Sequence, residues 1–76
     1  MLWRKDEEDG SVWSATPEPY FILSVDLLEH GWRWAADDLA EPENELPGGC
    51  ASDVAAAKAA AEHCYREYRK ARPNRA

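Results

Sequence analysis

The sequence predicts a small α+β domain in which an antiparallel β-meander of three strands, or four, carries one C-terminal α-helix on one face. Two observations predict the sheet: side chains alternate between two faces from Tyr20 to Leu27 and again from Trp32 to Asp37, with the period of a half-buried strand. A third predicts the helix, since the apolar residues of an alanine-rich segment after Ser52 are three and four positions apart. A chain of 76 residues is expected to form a single domain with a core of marginal size.

A β-hairpin is predicted over residues 20–39, and the length of its turn decides which residues lie opposite each other. A two-residue turn at His30-Gly31 places Leu27 opposite Trp34, so that the large apolar side chains share one face of the sheet. A three-residue turn would place Asp26 opposite Trp34 and leave a carboxylate on the apolar face. We therefore predict the two-residue turn, in which Gly31 supplies a positive φ.

Proline, glycine and capping residues predict the remaining segments. Residues 1–16 form an acidic N-terminal segment or a short hairpin, and Pro17 and Pro19 interrupt regular structure after it. Residues 40–52 form a loop that ends in a short edge strand. The helix is predicted over residues 53–71, with Ser52 as its N-cap. Its predicted inward-facing residues are Val54, Ala57, Ala61, Cys64, Tyr68 and Ala71.

Trp32 and Trp34 have two interpretations. Two indole rings on one strand face are suited to stacking on nucleic-acid bases or on a sugar. The same face carries Leu23, Val25 and Leu27, however, and these apolar neighbours favour packing of the indoles against the helix. We therefore assign both tryptophans to the core.

The sequence contains no recognisable catalytic motif. It has no glycine-rich phosphate loop, no G-x-S-x-G and no H-E-x-x-H. His30 and His63 have no evident nucleophile or orienting partner, so both are assigned to the surface. Asp37 and Asp38, with Glu41, provide too few carboxylates for a calcium-binding loop. We expect no enzymatic activity, no metal and no cofactor.

Cys50 and Cys64 are predicted to be reduced thiols. If the helix starts near residue 53, Cys64 lies about 16 Å along its axis, whereas a disulfide requires Cα atoms within about 7 Å. Zinc binding by both cysteines with His30 and His63 is disfavoured, because adjacent helical side chains point about 100° apart and no C-x-x-C pair exists. Free thiols, short apolar runs and an acidic opening segment in place of a secretion signal favour a cytoplasmic protein without a membrane span.

Charge is distributed unevenly along the chain. Residues 1–53 hold thirteen acidic and three basic side chains, a net charge of −10, whereas residues 54–76 hold six basic and two acidic ones, a net charge of +4. Basic residues near a helix C-terminus suit the helix dipole, but the dipole does not explain the acidic sheet and loops. An acidic face repels nucleic acid and attracts basic surfaces, including those of nucleic-acid-binding proteins. Solubility is the alternative explanation.

The order of strands and helix resembles three groups of small proteins. Gly48-Gly49-Cys50-Ala51, a Ser-Asp cap and an alanine-rich helix resemble the three-stranded DNA-binding module of phage integrases and plant ethylene-response factors, although that module has a basic sheet. Residues 20–61, with their glycine turn and Leu46-Pro47-Gly48, resemble HicB-type antitoxins, which lack the tryptophan pair. Abundant tryptophan and alanine without an enzyme motif resemble small acidic phage and prophage proteins of the anti-CRISPR type.

The last resemblance, together with the acidic surface, predicts a protein-binding inhibitor that acts on a nucleic-acid-binding host complex. Alternatives are a HicB-like antitoxin and a nucleic-acid-binding module that uses the basic residues Arg66, Arg69, Lys70, Arg72 and Arg75, although direct nucleic-acid binding is disfavoured by the net charge. The predicted partner-binding residues are the acids Asp26, Glu29, Asp37, Asp38, Glu41, Glu43 and Glu45. Apolar residues on the outer face, which would also serve a homodimer, are Tyr20, Ile22, Leu28 and Leu39.

Overall fold

A computed structural model describes residues 2–6 and 10–71 as a five-stranded antiparallel sheet with one helix packed on one face. The strands lie in chain order: β1 Arg4–Lys5, β2 Val12–Glu18, β3 Phe21–Leu28, β4 Gly31–Asp38 and β5 Gly49–Ala51, followed by the helix α1 Val54–Ala71. The predicted α+β class and C-terminal helix are confirmed, but the predicted count of three or four strands is wrong. Strand β5 lies where the short edge strand at the end of residues 40–52 was predicted, and β1 pairs with β2 as in the short hairpin that was one alternative for residues 1–16.

Strand β2 continues through Pro17, which was predicted to interrupt regular structure, and ends at Glu18 before Pro19. It pairs with β1 through Ser14 and Trp13 and with β3 as far as Glu18, and the register shifts between Ala15 and Glu18. Pro17 lies inside that irregularity and beyond the residues that β1 pairs with. The missing N–H of a proline is tolerated at such a position. The acidic residues 7–9 of the opening segment lie outside the described residues.

The central hairpin has a two-residue turn, but the turn is Glu29-His30, not His30-Gly31. Leu28 pairs with Gly31, Leu27 with Trp32 and Val25 with Trp34, so the register differs from the prediction by two residues. An even shift leaves each side chain on its predicted face, because side chains alternate with a period of two. Gly31 has the predicted positive φ, 137°, although it is the first residue of β4.

The core lies between the inner face of the sheet and α1. Phe21, Leu23 and Val25 are fully buried, and so are Ala57 and Ala61 of the helix. Ala15, Ala36, Cys64 and Tyr65 complete the buried apolar residues of the described chain. Tyr65 was not predicted to face inward, whereas the predicted inward residues Ala71 and Leu27 are exposed. Trp34 packs against the core as predicted, but both Trp32 and Trp34 remain half-buried.

Helix α1 is capped by Asp53 and not by Ser52. The Asp53 Oδ1 atom accepts the backbone N–H of Ala56 at 2.7 Å, and the Asp53 carbonyl accepts the N–H of Ala57 at 3.1 Å. These are the two bonds of an N-cap residue, which has its carboxylate at the positive end of the helix dipole. Within residues 2–6 and 10–71, no helix has the length and apolar character needed to cross a membrane.

The N-terminal strands are joined to the helix by two further tryptophans. The Lys58 ammonium lies 3.4 Å from the ring centroid of Trp13 and 5.8 Å from that of Trp3. The indole Nε1 of Trp3 donates a hydrogen bond to Glu62 Oε2 at 2.7 Å. A cation–π contact of this kind contributes about 0.5–2 kcal/mol. Lys58 and Glu62 of the helix therefore hold Trp13 of β2 and Trp3, which precedes β1, against α1.

Replacing Gly31 by alanine is expected to destabilise the fold by about 1–3 kcal/mol, because φ is positive and an added Cβ would lie 2.6 Å from the Ala51 carbonyl oxygen. Gly10→Ala is the matched control, since its Cβ would meet only the flexible end of Lys5. Urea unfolding followed by circular dichroism measures both. Equal stability losses in the two variants would contradict the close approach of β5 to Gly31.

Candidate functional site

A group of five acidic residues lies at the end of β4 and in the connection to β5. Residues 37–45 contain Asp37, Asp38, Glu41, Glu43 and Glu45 and no lysine or arginine, so this segment has a formal charge of −5. It spans the end of β4 and the first part of the connection to β5. We refer to residues 37–45 as the acidic loop.

Asp38 anchors the acidic loop from inside the protein. Its side chain is buried, with 3% of the residue exposed. The Tyr68 hydroxyl donates a hydrogen bond to Asp38 Oδ2 at 2.7 Å, and the backbone N–H groups of Ala40 and Glu41 donate to Oδ1 at 3.1 and 3.2 Å. Three donors satisfy the carboxylate where water has little access. The first part of the loop is thereby tied to the C-terminal half of α1.

Asn44 provides a second attachment near the other end of the acidic loop. Its Nδ2 donates to Glu41 Oε2 at 2.9 Å and to the Tyr68 hydroxyl at 3.1 Å. The backbone N–H of Asn44 also donates to the Glu41 carbonyl at 3.0 Å, which closes a tight turn. Tyr68 is therefore a common partner for both ends of the loop. These bonds favour one loop conformation over the many that a charged segment would otherwise sample.

The prediction that Asp38 is an exposed partner-binding residue is wrong. Asp38 pairs with Phe21 on the inner face of the sheet, whereas Asp37 pairs with Ile22 on the outer face and is exposed. The same alternation that places Trp34 inside also places Asp38 inside, so the sequence contained the signal. Successive aspartates on a strand cannot face the same way.

The other predicted residues do not form one surface. Asp26 lies on the outer face and pairs with Arg33 at 3.0 Å, which offsets its charge. Glu29 and Leu28 are exposed at the hairpin turn, about seven strand residues from Asp38, or roughly 23 Å. Tyr20 is 69% exposed beside the acidic loop, where its carbonyl accepts the N–H of Leu39 at 2.6 Å. Among the residues described, the fold thus brings together the acidic loop with Tyr20 and Ile22 beside it, and it places the other predicted residues elsewhere.

Within the acidic loop, the remaining acids differ in exposure. Asp37, Glu43 and Glu45 are exposed, whereas Glu41 is half-buried and holds Asn44. Half-buried Ile22 lies on the outer face directly opposite Asp37. Three carboxylates of the acidic loop are therefore exposed to solvent, and the other two form hydrogen bonds that hold the loop in place.

A groove that sequence reasoning missed lies between the end of the acidic loop and the helix. Trp34, Leu46 and Pro47 form one wall. Ala60, Cys64 and Tyr68 form the other wall, and the groove has a volume of about 550 Å³. Residues 45–47 and residues 60–68 come together there, and a contact between such distant segments has no local sequence signature.

A second depression lies between β1–β2 and α1 and has a volume of about 820 Å³. Arg66 lines it but is paired with Glu62 at 3.7 Å. Lys70 on the same helix lies 3.8 Å from Glu67. These pairs offset part of the basic charge predicted for a nucleic-acid-binding surface. Arg72 and Arg75 of that surface lie outside the described residues.

The geometry offers few groups for chemistry. Residues 2–6 and 10–71 contain no cluster of three or more His, Cys, Asp or Glu side chains arranged to hold a metal ion. Cys64 is buried, and burial raises the pKa of its thiol, which keeps the sulfur protonated and weakly nucleophilic at neutral pH. Cys50 is exposed on the outer face as a free thiol. What the site offers is a charged surface and an apolar groove.

Comparison of the chain with protein-family models, with curated proteins and with solved structures gave no match. The acidic loop and its surroundings are therefore the basis for a functional proposal.

Asp38→Ala is expected to lower the free energy of unfolding by about 2–4 kcal/mol, because it leaves three hydrogen-bond donors without their acceptor near the core. Asp37→Ala is the matched control and should change stability by no more than about 0.5 kcal/mol, since Asp37 is exposed. Chemical denaturation of both variants provides the comparison. Similar losses for the two would show that Asp38 does not anchor the loop.

Tyr65 is expected to make stability depend on alkaline pH. Burial, and then its 3.1 Å hydrogen bond to Glu18, raise the pKa of the Tyr65 phenol above the ordinary value of 10.0. The unfolded chain therefore loses this proton first, so the stabilisation is complete below about pH 10 and is lost as the pH rises through the folded-state pKa. Tyr65→Phe should reduce the fall in stability above about pH 10, and Tyr20→Phe, which alters an exposed ring, should not.

Proposed function

We propose that this chain is a non-enzymatic protein-binding inhibitor that presents its acidic loop to the basic, nucleic-acid-binding face of a host complex. A phage or prophage protein of the anti-CRISPR type would act in this way. The observation that carries the proposal is the acidic loop: a formal charge of −5 within nine residues, held by the hydrogen bonds of one buried aspartate.

A fixed acidic loop suits this role for two reasons. Carboxylates concentrated on one segment produce a local negative potential that attracts a basic groove and accelerates association at low salt. A loop that already has its bound conformation loses less conformational entropy on binding than a mobile acidic tail. Asp37, Glu43 and Glu45 are the exposed members that would contact the partner.

Solubility alone accounts less well for the arrangement. A solubilising surface requires only exposed charges distributed over the molecule. Here Asp38 is buried and Glu41 is half-buried, and both are hydrogen-bonded in positions that shape the loop. Stabilising contacts are used to position neighbouring charges, which is the arrangement expected of a binding surface.

Charge reversal within the loop provides the test. Tagged protein is incubated with a bacterial lysate, and the bound proteins are challenged with duplex DNA. We expect nucleic-acid-binding proteins that DNA displaces, and we expect Glu43→Lys to reduce their recovery about tenfold through the reversed charge. The matched control is Glu29→Lys, which makes the same net-charge change at the opposite end of the hairpin and should retain binding.

Three outcomes would contradict the proposal: no partner that DNA displaces, equal losses in both variants, or direct binding of DNA by the isolated chain in a gel-shift assay at low salt. The last outcome would favour the basic end of α1, where Arg69 and Lys70 are exposed, as the functional surface.

A further inference from the structure

The groove between the acidic loop and α1 adjoins the surface proposed to bind the partner. Glu45, the last residue of the acidic loop, also lines the groove, and Leu46 follows it on the same wall. A partner lying on the acidic loop would therefore extend over the groove. This inference rests on the proposed function, because the occupant is taken to belong to the same partner.

Most of the residues that line the groove are apolar. The indole of Trp34 lies against Gly49, where an added Cβ would be 3.1 Å from its Nε1 atom. Leu46 and Tyr68 pack on the core beside it. Ala60 lines the groove on the helix side with no more than a methyl group. A larger side chain supplied by a partner would bury this apolar surface.

The rim of the groove is negatively charged. Glu45 is exposed on the loop side, and Glu67 lies on the helix side with 54% of its side chain exposed. Glu67 approaches Lys70 at 3.8 Å, a solvent-exposed pair of little energetic weight. The exposed imidazole of His63 also lines the groove, whereas none of the described lining residues is a lysine or arginine. An apolar floor between two carboxylates selects for an apolar side chain with cations on either side.

We propose that the groove binds a short segment of a basic partner protein in which a large apolar side chain is flanked by arginine or lysine. The apolar side chain enters between Leu46 and Ala60, and the flanking cations pair with Glu45 and Glu67. The acidic loop then provides long-range attraction and the groove provides the buried contact that determines specificity.

Titration of the full chain, labelled with ¹⁵N, with three blocked tetrapeptides tests the assignment by NMR. The probe is Arg-Leu-Phe-Arg, and the controls are Arg-Gly-Ser-Arg, which has the charge alone, and Glu-Leu-Phe-Glu, which has the apolar pair alone. We expect the probe to shift the amide signals of Leu46, Ala60 and Cys64. It should bind about tenfold more tightly than either control, because only the probe provides both kinds of contact.

Variants at neighbouring alanines localise the binding. Ala60→Lys should lower the affinity for the probe about tenfold, because the lysine side chain fills the groove with a cation. Ala59→Lys, at an exposed position of the same helix, should change this affinity less than about twofold. Ala60→Phe fills the groove without charge and should also block the probe while keeping or raising the melting temperature. This variant keeps the test decisive if Ala60→Lys folds poorly.

The outcomes separate the inference from the proposed function. Binding of Arg-Gly-Ser-Arg at residues 37–45, with no gain from the apolar pair, would overturn the groove assignment and leave the acidic docking surface standing. Absence of binding by both arginine peptides would overturn the groove and weaken the docking proposal as well. If Glu-Leu-Phe-Glu bound as tightly as Arg-Leu-Phe-Arg, the proposal that Glu45 and Glu67 select flanking cations would be refuted. Shifts at Ala60 and Cys64 that depend only on protein concentration would identify a second copy as the occupant and refute a basic partner.

Discussion

The close contact of α1 with the sheet at Ala57 and Ala61 is the constraint on which the rest of the structure depends. Five strands share one helix, and two fully buried alanines allow it to approach the sheet closely, with Ala61 in one core cluster with Phe21 and Leu23. Small helical side chains bring the two layers together, and large sheet side chains fill the remaining volume at native density. Aromatic rings complete the cover, with Phe21 and Tyr65 in edge-to-face contact at 4.9 Å. A larger residue at either alanine would separate the layers.

The direction of the helix determines where the functional surface forms. Helix α1 starts beside β5 and its C-terminal half reaches the end of β4, where Tyr68 meets Asp38. That single hydroxyl organises the acidic loop through Asp38 and Asn44. A groove remains between the helix and residues 45–47, and Ala60 lines it. The anchored loop and the open groove are therefore two results of covering a wide sheet with one helix.

The acidic loop combines buried and exposed carboxylates with different physical roles. Asp38 is removed from water and compensated by three donors, so it contributes order and not surface charge. Asp37, Glu43 and Glu45 remain solvated and contribute the local field. Outside the loop, Asp26 is paired with Arg33. The acidic residues therefore differ in function although each adds the same formal charge. Their burial and their hydrogen-bond or ion-pair partners distinguish them.

The sequence by itself determined the α+β class, the two faces of β3 and β4 and the position of α1, because these follow from the local periods of strand and helix. The faces of β3 and β4 were predicted correctly although the predicted hairpin register was wrong by two residues. Only the tertiary structure decided that register, since the β5 backbone passes so close to Gly31 that glycine is needed within the strand and not in the turn. The tertiary structure also decided the pairing of β1 with β2 and of β5 with β4, the attachment of Asp38 to Tyr68 and the groove at Ala60. Each joins residues far apart in the chain, and a local pattern contains no information about such partners.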